Sequence, residues 1–107
     1  MARPFFTYLL RCSDQSYYVG HTDDLDRRVA QHASGAGSGY TATRQPVQLV
    51  WFEEFPTREE AKVVEAQIKR WNRRKKEALI GGKIDELKQA ARKDWVLYRQ
   101  RLPRYGS

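Results

Sequence analysis

Two short runs rich in aromatic and branched residues, Phe5 to Cys12 and Tyr17 to His21, are separated only by Ser13-Asp14-Gln15-Ser16. Such runs favour extended backbone and the intervening polar side chains favour a turn, so the pattern predicts a β-hairpin. The rest of the chain must be built on that hairpin. Asp23 or Asp24 can cap a helix starting near Leu25, and Gly35 marks its end. Ser34 to Gly39 reads as a flexible loop that Tyr40 to Pro46 continues without periodicity. A plain linker is the leading expectation there, with phosphate contacts from Thr41, Thr43 and Arg44 as the alternative. Val47 to Phe55 predicts a third strand, with Val47, Leu49 and Trp51 on one face and Val50 and Phe52 on the other. Thr57 with Glu60 three residues later is a capping-box pattern. It opens a helix to about Trp71 whose buried stripe is Ala61, Val64, Ile68 and Trp71. A further helix is expected over Arg74 to Ile80, stopped by Gly81-Gly82. A last amphipathic helix is expected from Lys83 to about Arg101, with Ile84, Leu87, Ala91, Trp95 and Tyr98 on its packed face. The order β-β-α-β-α-α-α describes an α/β domain: a small three-stranded, at least partly antiparallel sheet flanked by helices. The chain of 107 residues suits one core.

Twenty Lys and Arg against thirteen Asp and Glu give a net charge of +7, which favours an anionic partner, most often nucleic acid. Cys12 is the only cysteine, which excludes an internal disulfide and a multi-cysteine zinc site and fits a reducing compartment. Its expected role is a small core residue. Phe5 to Leu10 is far shorter than the roughly 20 apolar residues of a membrane span. The expectation is an intracellular protein, cytoplasmic or nucleoid-associated, with no membrane partner.

Several polar residues sit where a helical wheel would put core. Leu25 and Val29 define the inner face of the first helix, and Arg28 and His32 lie one turn apart on its edge. A snorkelling arginine and a half-buried histidine are the leading expectation for this pair, with chemistry as the alternative. Glu65 lies about 80° from the centre of its helix's apolar stripe, where an i,i+4 pair with Lys69 is the ordinary explanation. Tyr8, Tyr17 and Tyr18 fall in strands, where tyrosines commonly pack. Gly20 inside a strand implies a bulge or a close approach by another backbone or a ligand. Lys69 to Lys76, "KRWNRRKK", holds six basic residues in eight, a phosphate-contacting stretch or a solvated helix junction. No phosphate-cradling glycine loop, dinucleotide fingerprint or histidine pair at metal spacing is present.

Taken in order, these residues resemble the GIY-YIG endonuclease family, in particular its small stand-alone members. The resemblance covers about residues 5 to 80. Phe6-Thr7-Tyr8 within "FFTYLL" stands where the family's first motif falls, and Tyr18-Val19-Gly20 is similar to the second. Arg28, ten residues beyond Tyr18, falls where the family has its catalytic arginine, His32 where a tyrosine or histidine is usual, and Glu65 in "EAQIKRW" matches the metal-binding glutamate. The first motif lacks its glycine and isoleucine, and His21 replaces a lysine carried by DNA-repair members.

The resemblance implies a GIY-YIG-like catalytic domain over residues 1–82, with residues 83–107 as a helix packed on it. It implies a metal-dependent endonuclease that hydrolyses phosphodiester bonds in DNA, branched, nicked or damaged DNA among its targets. Tyr8, Tyr18, Arg28, His32 and Glu65 would be catalytic. One carboxylate with waters and a phosphate oxygen suits Mg²⁺, with Mn²⁺ able to substitute, so Glu65 is the expected metal ligand. Gly20, His21, Arg44, Lys69, Arg70, Arg73, Arg74, Lys75 and Lys76 are the expected nucleic-acid contacts. DNA is the leading partner and RNA the second. Two other readings stay open. One is a non-catalytic nucleic-acid-binding module of the same fold. The other is an interaction domain that uses Trp95, Tyr98 and Leu102 to bind a protein partner or a second copy of the chain.

Overall fold

The computed structural model describes residues 3–81. The helix expected over Lys83 to Arg101, its packing on the domain, and Trp95, Tyr98 and Leu102 lie outside the described residues. Strands β1 (Phe5–Arg11) and β2 (Tyr17–Thr22) form the predicted hairpin, and β3 (Gln48–Phe55) pairs with the other side of β1. The three-stranded sheet has the order β2-β1-β3 and is antiparallel throughout. Helix α1 (Leu25–Ala33) follows β2 directly, with the Asp24 side chain accepting from the Arg27 backbone N–H and Gly35 beyond its end at φ +84°. Helix α3 (Arg58–Arg70) is capped by Thr57 as the capping box implies, and α4 (Arg73–Gly81) follows after a break at Trp71.

One face of the sheet makes the main core. Leu9, Val19 and Phe55 pack against Ala61, Val64 and Ile68 of α3, with Trp71 and Leu79 closing the cluster. Trp71 is buried as expected, but its backbone has left the helix (φ −71°, ψ 147°), so the side chain is delivered by the α3–α4 corner. Thr7 Oγ1 donates to the Ala61 carbonyl at 2.8 Å and fixes α3 across this face. Cys12 is buried, as expected of a small core residue.

The other face carries two departures from expectation. The segment expected to be a loop without structure contains a one-turn helix, α2 (Gly39–Ala42), whose N-cap is Ser38 with its side chain accepting from the Thr41 N–H at 3.2 Å. In α1, Leu25 and Val29 are only half-buried, and the buried residue is His32. Toward β3 on the same face Phe52 is 52% exposed, with the Phe6 ring against it in an edge contact.

Candidate active site

Strand alternation decides which residues meet. Tyr8 is paired with Gly20 across the hairpin, and its ring projects onto the α1 face of the sheet. A Cβ on Gly20 would stand 2.6 Å from Tyr8 Cζ, nearer than real Cβ contacts come. The space above Gly20 is taken by the Tyr8 side chain, neither the bulge nor the backbone or ligand approach expected of a glycine in a strand. Gly20, expected to touch nucleic acid, is buried beneath that ring. Tyr8 is 1% exposed, and its hydroxyl lies 2.9 Å from Nε2 of His32, itself fully buried.

The other nitrogen of His32 is also engaged: Nδ1 lies 2.8 Å from Thr41 Oγ1, and that hydroxyl is 3.0 Å from Ser38 Oγ. Tyr8, His32, Thr41 and Ser38 thus form one hydrogen-bonded chain running from the sheet to α2. The loop is anchored to the site by more than this chain. Gln45 Nε2 donates to the His32 carbonyl at 2.6 Å and the Thr41 carbonyl at 2.8 Å, and a Cβ on Gly37 would sit 2.5 Å from His32 Nδ1. The flexible-linker expectation is overturned here. Thr41, weighed as a phosphate contact, is buried against His32 instead. Sequence reasoning missed Ser38, Gln45 and Gly37. The Ser38-to-Thr41 cap spacing is the one local signal of them.

Tyr18 packs against the same histidine with the rings tilted by 55° and their centroids 4.9 Å apart, and also meets the Tyr40 ring at 5.9 Å. Arg44 lies over the Tyr40 ring at 3.9 Å, and its Nε pairs with Asp14 in the hairpin turn at 3.0 Å. Arg44, an expected nucleic-acid contact, thereby ties the α2 segment to the hairpin.

Arg28 is oriented by Gln31 Oε1 and the Gly37 carbonyl, each at 3.1 Å. Its guanidinium lies beside the hydroxyls of Tyr8 and Tyr18 and stays cationic there. A cleft of about 250 Å³ opens on its flank, between Arg3, Thr22, Arg27 and Gln31. Burial pushes the Tyr8 phenol above its ordinary value and Arg28 opposes that, leaving a net upward shift. Burial, then the charge of Arg28, pushes His32 below the usual histidine range, so it is neutral at pH 7.

Glu65 stands on the α3 side of the sheet and meets the cluster at the free edge of β2. Oε1 is 2.5 Å from His21 Nδ1 and Oε2 is 2.8 Å from Lys69 Nζ. Burial alone would raise its pKa, but hydrogen bonds from Lys69 and His21 outweigh that and hold it below the ordinary carboxylate range. Its negative charge bears on the Tyr8 phenol. Among the described residues no group of three His, Cys, Asp or Glu side chains is placed to hold a metal. A hard divalent ion at this place would have one protein carboxylate, Glu65, and would take its other ligands from water and substrate oxygens.

The basic stretch divides. Arg73 is structural: it donates to the Gln15 carbonyl at 2.6 Å, pairs with Glu77, and covers the Tyr17 ring. Lys75 lies over Trp71, and Lys76 is half-buried, where desolvation lowers its pKa. Arg70 and Arg74 are exposed, and Lys69 is held by Glu65.

Comparison with known proteins gives the family and the fold. The model of the GIY-YIG catalytic domain matches residues 4–78. A UPF0213 protein of Listeria innocua is 44% identical over 81% of this chain and 97% of its own length. The solution NMR structure of the UPF0213 protein of Bacillus halodurans is 46% identical, with a TM-score of 0.50 over 75% of this chain and 85% of that one. A second NMR structure, of a protein from E. faecalis, is 37% identical, with a TM-score of 0.52 over 74% of this chain and 84% of that one.

Proposed function

From the chain's membership of the GIY-YIG catalytic domain family, a family of nucleases, we propose that it is a metal-dependent endonuclease that hydrolyses phosphodiester bonds in DNA. The catalytic unit in this reading is residues 1–82. The observation that carries the reading is the Tyr8 hydroxyl, set 2.9 Å from a buried, neutral His32 and beside the Arg28 guanidinium.

Hydrolysis requires that a water lose its proton as its oxygen attacks phosphorus, that charge gathering on the phosphate be stabilised, and that the departing 3′ oxygen be neutralised. Tyr8 alone is a poor base, because burial keeps it a phenol. Donating its proton to His32 Nε2 removes that obstacle: the phenol oxygen takes the proton of the attacking water as its own passes to the imidazole. Burial and the charge of Arg28 oppose that transfer, so it belongs to the complex in which a bound phosphate offsets the Arg28 charge; the imidazolium then donates Nδ1–H to Thr41. Tyr18, packed against the same ring and also beside Arg28, is the competing base. Arg28 offers its fork to the nonbridging oxygens, where it counts most as charge develops. Glu65 would hold Mg²⁺, with Mn²⁺ able to substitute, and the bound ion supplies positive charge at a phosphate or leaving oxygen. Arg70 and Arg74 are exposed to meet the backbone of the nucleic acid.

The test is to incubate the protein with 5′-labelled single-stranded, duplex, nicked, flapped and four-way DNA and RNA counterparts. Each is run with Mg²⁺, Mn²⁺ or EDTA, beside Glu65→Ala and Arg28→Ala. Cleavage that needs the ion and both side chains is the expected result. Binding without cleavage on every substrate would replace the enzyme with a binding module.

A further inference from the structure

Both oxygens of Glu65 already have a partner. Oε1 faces His21 Nδ1 and Oε2 faces Lys69 Nζ, at 2.5 and 2.8 Å. A divalent cation settling on either oxygen meets one of these partners, and an ammonium beside it opposes the ion by like charge; the two partners are unequally held. His21 belongs to β2, its side chain is 24% exposed, and its Nε2 has a second partner in Arg58 at 3.4 Å. Lys69 is on the helix of Glu65, one turn along, and its side chain is 58% exposed. Its ammonium ends a flexible four-carbon stem that can swing into water at little cost.

We propose that Lys69 is a tethered stand-in for the divalent ion: it holds Oε2 of Glu65 until an ion displaces it, while His21 keeps its place on Oε1. The proposal rests on the reading of Glu65 as the metal ligand. Its consequence is that the protein's affinity for the ion is reduced by the fraction of time Glu65 is closed by its own lysine. For a half-exposed ion pair this is a reduction of about three- to six-fold. The same arrangement keeps the carboxylate aimed at the site before the ion arrives.

The experiment is Mn²⁺ binding to the full chain at one fixed pH near 8, read from the paramagnetic signal of the free ion, with no nucleic acid and no turnover. Lys69→Met is expected to tighten binding about three- to six-fold. Lys62→Met, which removes the same charge from an exposed position of the same helix, is expected to leave it within about 1.5-fold. His21→Gln is expected to give no gain, and Glu65→Gln to abolish the site. If Glu65→Gln abolishes binding while Lys69→Met binds no better than wild type, or His21→Gln gives the gain instead, the stand-in is overturned and the metal-ligand reading survives. If Glu65→Gln binds as well as wild type, both fall.

Discussion

Replacing Gly20 by alanine adds one methyl group to the molecule, and the structure places that methyl inside the Tyr8 ring system. The added Cβ would stand 2.6 Å from Cζ and 3.1 Å from Cε2, against an ordinary carbon contact of about 3.5 Å or more. The ring must therefore move by about 1 Å. It has no free space to move into, because Tyr8 is 1% exposed and lies against His32 and Tyr18. Such overpacking costs about 1–3 kcal/mol. A shift of that size also stretches the 2.9 Å link to His32, and a buried nitrogen without a partner costs about 1–3 kcal/mol more. Since one relaxation answers part of both, the expected loss for Gly20→Ala is about 2–4 kcal/mol in urea unfolding. The mechanism is tested by a cycle with Tyr8→Phe, which removes both the nearest atom and the hydrogen bond. Gly20→Ala should cost at least about 1 kcal/mol less in that background. A single mutant within about 0.5 kcal/mol of wild type, or a strictly additive cycle, would refute the account of why a glycine stands there.

Tyr8→Phe and Tyr18→Phe are expected to fold and to lose most nuclease activity, and near-normal turnover in either would remove that tyrosine from the mechanism. Arg28→Lys should leave cleavage at least about ten-fold down, because an ammonium cannot span Gln31, the Gly37 carbonyl and a phosphate as the fork does; kcat measured beside Arg28→Ala checks it. Stability should rise with pH in two separate windows. His32 has a folded pKa below its unfolded 6.5, so the unfolded chain binds more protons between them, and stability is lost as pH falls from about 6.5 through the folded value. Glu65, depressed below 4.5, adds a second loss as pH falls below that value; urea midpoints from pH 3 to 8 would show both, and His32→Asn should erase only the upper one. Arg73→Ala should cost stability through its lost clamp on Gln15 and Glu77. Arg74→Ala should instead leave stability unchanged and reduce the salt dependence of nucleic-acid binding, as read by anisotropy titrations.

The amino-acid sequence by itself determined the local elements of this protein. Runs of aromatic and branched residues placed the hairpin and β3, and a cap at Asp23 or Asp24 and another at Thr57 placed the starts of α1 and α3, because those signals act within a few residues of chain. The family motifs marked Tyr8, Tyr18, Arg28, His32 and Glu65 by order along the chain. What each of them touches was decided by tertiary structure. Arg28 and His32 read better as edge residues of any helix until the sheet brought Tyr8 under them. The stretch from Ser34 to Pro46 read as a linker because Thr41 and Gln45 gain their hydrogen bonds from His32, nine and thirteen residues away. Arg44 and Arg73 resembled phosphate contacts because a wheel or a charge count shows neither Asp14 nor Gln15 beside them. Gly20 signalled a bulge or a close approach, but only the pairing of β1 with β2 could say that the group above it is the Tyr8 ring. A charge or a small residue records in sequence that something must be near it, and the partner is named only when distant segments are packed together.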